Sequence, residues 1–243
     1  MITRNFLRGR RREALSDDDL RAVEGLIAEV REVPARKTVL KSGEPLDYSS
    51  YLIDGFMCRY MDDRDGRRQL VALQISGDFV DLHAFPLRWL DHDIGTITPC
   101  RIGIVPHERL QALQHERPQL TRMLWFSTLL DAAMHREWIF RLGRLNALGR
   151  VAHFLAELEY RLRMVDESDG RRFPLPMLQA DLAEACGMTP VHLNRVVRRL
   201  RDLDLVTLRD GQAFVSDLKA LWQLAEFDPR YLFPDGAGVI GAR

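Results

Sequence analysis

The spacing of apolar and polar residues divides the chain into a β-rich first part and a helical second part. Short apolar runs fill residues 38–106 and are separated by glycines that stand 11 or 12 residues apart in turn-like settings: Gly43, Gly55, Gly66 and Gly77. Short strands with turns at such intervals are typical of an antiparallel sandwich or barrel. We therefore predict an antiparallel β domain, with strands that include residues 51–53, 57–60, 70–75 and 96–105.

Helical spacing precedes and follows this β region. Ser16 and the three aspartates after it are typical of a helix start, so a short helix is predicted within residues 16–30. After Pro118 a broad apolar stripe continues to Gly143, which predicts one helix of about 24 residues and about 36 Å. Because a small β domain needs less cover than this, we expect the surplus apolar face to pack against a second copy of the chain. The alternative is that the helix only covers the β domain. Helical spacing continues over residues 144–163.

The segment from Pro176 to Val215 has the outline of a winged helix-turn-helix. Apolar or small residues within 177–186 lie on one face of a first helix, Gly187 supplies a sharp bend, and Thr189 with Pro190 is a strong start for a second helix. Apolar residues then recur at helical spacing and are expected to pack on the first helix and the domain body: Leu193, Val196, Val197, Leu200 and Leu203. A terminal helix is predicted over 218–227, and residues 234–243 are expected to be frayed.

The opposite face of the second helix carries four arginines that no Asp or Glu between Thr189 and Arg201 offsets: Arg195, Arg198, Arg199 and Arg201. A helix of this length can lie in a DNA major groove. Two short alternating runs around Asp210-Gly211 predict a hairpin, which would form the wing. A solvated helix of an ordinary domain explains the charge run alone, but not the helix, bend, capped helix and hairpin in this order. We therefore predict DNA binding.

Composition limits the remaining choices. The 243 residues are 46% hydrophobic and 29% charged, as in an ordinary water-soluble protein of two domains, and the net charge of zero leaves room for a local basic patch only. The three cysteines are widely spaced, so neither a disulfide framework nor a cysteine-rich metal cluster is expected. With no run suited to a membrane span or a secretion signal, we expect a cytoplasmic protein without membrane contact. The arginine-rich residues 4–12 are expected to form a solvated terminus, with a DNA-seeking arm as the alternative.

Together these segments resemble the Crp/Fnr family of bacterial transcription regulators over about residues 15–215. The segments that carry the resemblance are Gly77-Asp78-Phe79, Gly149-Arg150-Val151-Ala152, and Asp181-Leu182-Ala183 leading to Gly187-Met188-Thr189. The resemblance implies an α+β fold with an antiparallel β-roll like a cyclic-nucleotide-binding domain (1–116), a dimerisation helix (117–143) and a winged helix-turn-helix domain (144–243). It also implies a homodimer whose rolls sense a signal and whose second helices enter successive major grooves of double-stranded DNA at a two-fold-related site. RNA polymerase is a further partner that the resemblance suggests.

The resemblance also assigns roles on the second helix. Arg195, whose guanidinium can bond guanine O6 and N7, is assigned to base reading together with His192 and Val191. Contacts with phosphates are assigned to Gln179, Thr189, Arg198 and Arg199. Pro190 and Val191 stand where the family pattern often has Arg and Glu, so we expect a recognised sequence that differs from that of the best-known members.

The candidate effector pocket comprises six residues: Asp81, His83, Trp89, His92, His135 and Arg136. Members that bind cyclic AMP hold its ribose and phosphate with a Gly-Glu and an Arg-Ser pair, whereas this region reads Asp81-Leu82-His83-Ala84-Phe85 and Asp91-His92-Asp93, so cyclic AMP is not expected. The oxygen-sensing members hold an iron–sulfur cluster with four cysteines, mostly near the N-terminus. Because the first 57 residues here contain none, no such cluster is expected. The effector therefore stays unknown.

Three other functions stay open at this point, the first of which is a nucleic-acid scaffold that binds DNA without regulatory choice. A metal- or haem-dependent sensor would use the pocket histidines, although a lone histidine is more often an ordinary polar residue than a ligand. An enzyme would use the Asp and His group within 81–93, but this group has neither paired histidines on one helix nor a Gly-rich phosphate loop. We therefore predict a regulator rather than an enzyme and assign no catalytic or metal-binding residues.

Overall fold

Eight α-helices and ten β-strands follow one another along residues 1–236, the part of the chain that this computed structural model describes. The helices are α1 (Asp17–Gly25), α2 (Ala84–Leu87), α3 (His107–Glu116), α4 (Pro118–Arg144), α5 (Ala147–Met164), α6 (Gln179–Ala185), α7 (Pro190–Asp202) and α8 (Leu218–Ala225). The strands are β1 (Glu29–Val33), β2 (Thr38–Leu40), β3 (Tyr48–Asp54), β4 (Met57–Asp62), β5 (Arg68–Gln74), β6 (Asp93–Thr96), β7 (Cys100–Pro106), β8 (Arg172–Pro174), β9 (Val206–Arg209) and β10 (Gln212–Val215). The predicted α+β class is confirmed. Residues 237–243, most of the segment expected to be frayed, lie outside the described residues.

The described chain divides into two compact units. The first contains Met1–Met61, Ala72–Ala133 and residues 232–236, and the second contains Asp62–Val71 and Met134–Tyr231. This division falls within α4. No helix among residues 1–236 is long and apolar enough to cross a lipid bilayer.

Two antiparallel sheets form the β-roll. One has the strand order β1-β7-β3 and the other the order β2-β6-β4-β5. Their inward side chains form a core that includes Leu52, Met57, Val80, Ile94 and Ile102. The pairing of β3 with β7 brings Leu52 opposite Ile102 on the same face of the sheet, so the alternation of apolar residues sets the register here.

The four predicted glycine turns are present, because Gly43, Gly55, Gly66 and Gly77 all adopt positive φ angles. Gly77 has the tightest surroundings, since a Cβ atom there would lie 2.4 Å from the carbonyl oxygen of Asn5. Only glycine fits both that contact and a φ of +100°.

One predicted strand is wrong in its extent. The expected single strand over 96–105 is divided into β6 and β7, and residues 97–99 join the two. Pro99 has no N–H group for a sheet ladder, and the side chain of Thr98 instead accepts a hydrogen bond from the Phe56 N–H at 2.9 Å. The local apolar pattern did not show this corner.

The N-terminal segment packs against the roll, which corrects the expected solvated terminus. Phe6 is fully buried and lies edge-on to the rings of Tyr51 and Phe79, at centroid distances of 6.4 and 5.9 Å. The Asn5 side-chain amide donates to the Ser76 hydroxyl at 2.9 Å, and Arg10 lies 3.6 Å from Asp78. The physical reason is that burial of an aromatic side chain outweighs the solvation of the arginines around it.

The predicted helix at the start of the chain is confirmed as α1. The Ser16 hydroxyl accepts the Asp19 N–H at 3.1 Å, and the Asp19 carboxylate accepts the Ser16 N–H at 3.0 Å, which is a capping box. The helix ends at Gly25, several residues before the predicted limit, and β1 follows. The long helix is also confirmed, since α4 has 27 residues.

The second unit is built on α5, which packs along α8 and α7. Its buried centre is polar. The Glu157 carboxylate accepts hydrogen bonds from the Trp138 indole N–H at 3.1 Å and the Tyr231 hydroxyl at 2.6 Å, and Arg161 lies 3.6 Å away. Because Glu157 is almost completely buried, these partners replace the water that its charge has lost.

Candidate nucleic-acid interface and sensor site

Helix α7 begins where the sequence predicts. Thr189 is the N-cap, and its hydroxyl accepts the His192 N–H at 3.3 Å, while Pro190 is the first helical residue. Leu193, Val196 and Leu200 are buried on its inner face. Leu203, which was expected to pack as well, is the C-cap and is 40% exposed, because the helix ends before that residue completes the face.

The outer face of α7 presents guanidinium groups to solvent. Arg195, Arg198 and Arg199 are exposed, and no ion pair with a described residue offsets any of them. Arg201 is different, because it lies 3.9 Å from Asp202. At about 100° per residue, Val191, Arg195 and Arg198 are centred opposite the buried face, with His192 and Arg199 on one flank and Arg201 on the other. These side chains make a positively charged ridge.

The other residues assigned to phosphate contact are also at the surface. Gln179 is the first residue of α6 and is exposed. Thr189 is exposed too, and because its oxygen accepts a hydrogen bond within the helix start, its O–H remains able to donate. The positions of Gln179 and Thr189, each at the start of a helix, suit contact with an anionic backbone.

The wing is a three-stranded sheet with the order β8-β10-β9. Its tip is the predicted turn, in which Asp210 and Gly211 have φ angles of +50° and +68°. The Arg209 guanidinium stacks over the Phe214 ring at 4.4 Å, so a cation is held in place on the wing. The sequence predicted the hairpin of β9 and β10, but not β8.

Two arginines support the turn between α6 and α7. Arg141 donates to the Ala185 carbonyl oxygen at 2.8 Å, and Arg150 donates to the carbonyl oxygens of Cys186 and Gly187 at 3.2 Å. The carbonyls at a helix C-terminus lack partners within the helix, so these contacts satisfy them and fix the angle at which α7 leaves the turn. Sequence reasoning missed both residues, since their partners are 36 or more positions away along the chain.

A second support holds the start of α6. The Asp181 carboxylate accepts the Leu178 N–H at 2.8 Å, and the same carboxylate accepts from the Arg68 guanidinium at 2.7 Å. Arg68 also donates to Glu184 at 2.7 Å. The separation of Arg68 and Asp181 by 113 positions explains why no local pattern pointed to this pair.

Helix α4 has an exposed face with coiled-coil spacing. Its members alternate in steps of four and three residues, and we call them the α4 stripe: Trp125, Leu129, Ala132, Arg136, Ile139 and Gly143. Trp125, Leu129 and Ile139 are each more than half exposed. This spacing is the one that lets two helices pack along a common seam.

The roll brings two of the predicted pocket residues together. The imidazole rings of His83 and His92 have centroids 5.3 Å apart. His92 Nδ1 lies 2.8 Å from a carboxylate oxygen of Asp91, whereas its Nε2 atom is buried without a hydrogen-bond partner. Burial lowers the pKa of His83 to about 3, and it lowers the pKa of His92 as well. Both rings are therefore neutral at pH 7.

An ion pair that sequence reasoning missed lies in the same unit. Arg59 on β4 is 2% exposed and donates to the Asp131 carboxylate at 2.5 Å and to the Val80 carbonyl oxygen at 2.7 Å. Its positive charge contributes to the lowered pKa of both His83 and His92, after burial. Arg59 and Asp131 are 72 positions apart, so only the fold relates them.

The other predicted pocket residues have different surroundings. Asp81 is fully buried and accepts hydrogen bonds from the N–H and hydroxyl of Ser50, and burial raises its pKa to about 7. Trp89 is about half exposed. His135 and Arg136 are on α4 and belong to the second unit.

Asp93 also has a structural role, because its carboxylate accepts the Ser42 N–H at 2.8 Å. Of the Asp and His group within 81–93, then, Asp81 and Asp93 are each engaged with backbone groups of other strands or turns. His83, Asp91 and His92 remain as a compact set.

Comparison with known proteins agrees with this architecture. The cyclic nucleotide-binding domain family matches residues 30–117, and the Crp-like helix-turn-helix domain family matches residues 149–224. The nitrogen fixation regulation protein FixK of Bradyrhizobium diazoefficiens is 31% identical over 178 residues, which cover 72% of this chain and 73% of FixK. The transcriptional activator protein FnrL of Cereibacter sphaeroides is 27% identical over 204 residues, 82% of this chain and 81% of FnrL.

A solved structure gives the same result for the fold. FixK2 from Bradyrhizobium japonicum superposes with a TM-score of 0.74 at 23% identity, over 82% of this chain and 97% of that one. The sensor-type roll, the helix-turn-helix and the relatives agree, and the chain belongs to the Crp/Fnr family of DNA-binding transcription regulators with a cyclic-nucleotide-binding-like sensor domain.

Proposed function

We propose that the protein is a homodimeric regulator that reads a two-fold-related DNA site with α7 and responds to an effector in its β-roll. The observation that carries the proposal is the ridge on α7, where Arg195, Arg198 and Arg199 are exposed and have no ion-pair partner among the described residues. Exposed cations without counter-charges are the ones that bind phosphates most favourably, because their binding releases the counterions condensed on DNA.

Within this ridge, Arg195 reads bases with Val191 and His192 beside it. Arg195 is central on the outer face, and a guanidinium there can form two parallel hydrogen bonds with guanine. Arg198 and Arg199, together with Gln179 and Thr189, hold phosphates and thereby set the register of the helix in the groove. Arg209 on the wing adds a further backbone contact.

The second copy of the chain packs against the α4 stripe. A mainly apolar seam of this spacing, interrupted by Arg136, suits a parallel pair of helices about a two-fold axis. Such an axis gives two copies of α7 that can enter major grooves one duplex turn apart.

The test of base reading is a pair of single substitutions on α7. Arg195→Ala removes a guanidinium from the centre of the outer face, whereas Arg201→Ala removes the same charge about 120° round the helix. DNA sites are first selected from a random pool with the wild-type protein, and each variant is then measured on the selected site and on its single-base changes.

We expect Arg195→Ala to weaken binding by about 1 to 3 kcal/mol, about 5- to 150-fold, and to relax the preference at one base pair in each half-site. Arg201→Ala is expected to keep the full preference. An equal loss of affinity on every sequence for Arg195→Ala would assign that residue to phosphate contact instead.

The effector is not a cyclic nucleotide. A cyclic phosphate needs unpaired cationic or backbone donors, but the guanidinium in this part of the roll, that of Arg59, is bonded to Asp131 and the Val80 carbonyl. The carboxylate of Asp91 adds a negative charge beside His92. These residues do not fit a phosphate anion.

The protein acts on transcription rather than as an enzyme, and its place of action is the cytoplasm, where bacterial DNA lies. The relatives FixK and FnrL carry the names of a regulation protein and a transcriptional activator. A regulator that activates also contacts RNA polymerase, and a transcription assay with purified polymerase on the selected site distinguishes activation from repression.

A further inference from the structure

We infer that His83 and His92 bind a divalent transition-metal ion inside the β-roll. The inference rests on the proposed function in one respect, because the ion is then the effector of that regulator. It differs from a cyclic-nucleotide site in chemistry, since the ligand is a cation held by neutral nitrogen atoms.

His92 has one ring nitrogen without a hydrogen-bond partner. The side chain is 8% exposed, and its Nε2 atom is buried without a hydrogen-bond partner. A buried polar atom without a partner costs free energy, so its presence calls for a bound group. The Asp91 carboxylate, 2.8 Å from Nδ1, accepts a hydrogen bond from the N–H at that position, which leaves the lone pair of the ring on Nε2. This carboxylate–imidazole pair is the arrangement that orients a histidine toward a metal ion.

A second imidazole, that of His83, lies beside His92. The His83 ring lies 5.3 Å from that of His92, tilted by 37°, and it makes no hydrogen bond with any described residue. The His83 ring and the Nε2 atom of His92 have no hydrogen-bond partner among the described residues, so both can bind one ion.

The charged groups around the two histidines also favour a cation. Arg59 opposes a cation, but its charge is matched by Asp131 in an ion pair. The carboxylate of Asp91 then gives the surroundings of the two histidines a net charge of one negative unit. Neutral imidazoles in a slightly negative environment suit a cation of the zinc, cobalt or nickel type and disfavour an anion.

The number of protein ligands determines how readily the bound ion exchanges. Among residues 1–236 no group of three or more His, Cys, Asp or Glu side chains could hold a metal ion, so the chain supplies two nitrogen ligands. The remaining positions of a four-coordinate ion are left to water or a small ligand. An incompletely enclosed ion exchanges more readily than one in a closed structural site, which suits reversible sensing.

The experiment is a titration of full-length, chelator-treated protein with Co²⁺, followed by its visible absorption, and with Zn²⁺, followed by calorimetry. The variants are His83→Ala, His92→Ala, His92→Asn and Asp91→Asn. His115→Ala, which removes an exposed histidine of α3, is the matched control. Circular dichroism reports the fold of each variant, and His92→Asn retains a polar side chain if His92→Ala does not fold.

We expect one ion per chain in the wild type and the His115→Ala control, a loss of at least tenfold in affinity for His83→Ala and His92→Asn, and a loss of about 10- to 100-fold for Asp91→Asn. Mg²⁺ is expected not to compete, because it prefers oxygen ligands. Absence of cobalt absorption in the wild type, or binding that survives in a folded His83→Ala/His92→Asn double variant, would overturn the metal site.

DNA affinity is measured on the same samples with and without Zn²⁺. A change that is lost in His83→Ala supports the effector role, and metal binding that leaves DNA affinity unchanged overturns that role. Intact metal binding in a protein that selects no DNA sequence would instead refute the proposed function.

Discussion

Truncation of Ile139 to alanine tests whether the α4 stripe joins two chains. Ile139 is 72% exposed in the single chain, so most of its surface is available to a partner. The change removes three carbon atoms, each worth about 0.8 kcal/mol when buried. Only the exposed share can be newly buried, so the expected loss is about 1.7 kcal/mol for each chain and about 3.5 kcal/mol for a dimer that buries both.

A loss of this size corresponds to an increase of about 300-fold in the dissociation constant of the dimer. Sedimentation of the protein over a wide range of concentrations measures that constant directly. Binding to a complete two-fold site and to an isolated half-site measures the consequence for DNA, and only the affinity for the complete site is expected to fall.

The matched control is Leu87→Ala, which also removes three carbon atoms from an exposed side chain. Leu87 is 55% exposed and lies on α2, outside the α4 stripe. If Ile139→Ala changes dimerisation no more than Leu87→Ala does, or if the wild type is monomeric at every concentration, the stripe is not the dimer interface. Because Ile139 is largely exposed within the single chain, Ile139→Ala is expected to fold normally, so a change in dimerisation is not a result of misfolding.

Two further predictions concern stability, measured by urea denaturation followed through tryptophan fluorescence. Gly77→Ala is expected to destabilise the protein far more than Gly66→Ala. A Cβ atom at position 77 would lie 2.4 Å from the Asn5 carbonyl oxygen, whereas one at position 66 has nothing within 4 Å. Equal losses in the free energy of unfolding would show that the positive φ angle alone matters. Glu157→Gln is expected to cost about 3 to 5 kcal/mol, since it removes the negative charge that lies 3.6 Å from the buried Arg161, whereas Glu226→Gln at an exposed site is expected to change little. A loss below about 1 kcal/mol for Glu157→Gln would mean that the buried charge is not needed.

The elements of the DNA-binding domain could be predicted from the sequence because the features that specify them are local. The Thr189 cap, Pro190 at the first helical position and the Asp210-Gly211 turn each act over two to four residues, and the structure has all three. Such short-range features are encoded in neighbouring side chains and backbone angles, so no knowledge of the fold is needed to predict them.

The parts that were missed depend on distant partners or lack a pattern. Strand β1 is almost wholly exposed and shows no alternation, so its pairing with β7 sets its structure rather than its own side chains. The N-terminal segment was predicted to be solvated because of its arginines, but the burial of Phe6 among them holds the segment against the roll. Arg59 and Asp131 belong to elements 72 positions apart, and the pair exists only once the roll and α4 have formed.

The arginines of this protein fall into two groups, and the difference explains how a chain of zero net charge can bind DNA. Arg59, Arg141 and Arg161 are buried, and each lies beside at least one carboxylate or carbonyl oxygen that replaces part of its lost hydration. On the α7 ridge, by contrast, Arg195, Arg198 and Arg199 are exposed and have no ion-pair partner among the described residues. The exposed guanidiniums of the ridge and the wing are therefore placed to attract phosphates in a salt-dependent way. Placement, and not overall charge, gives the regulator its affinity for DNA.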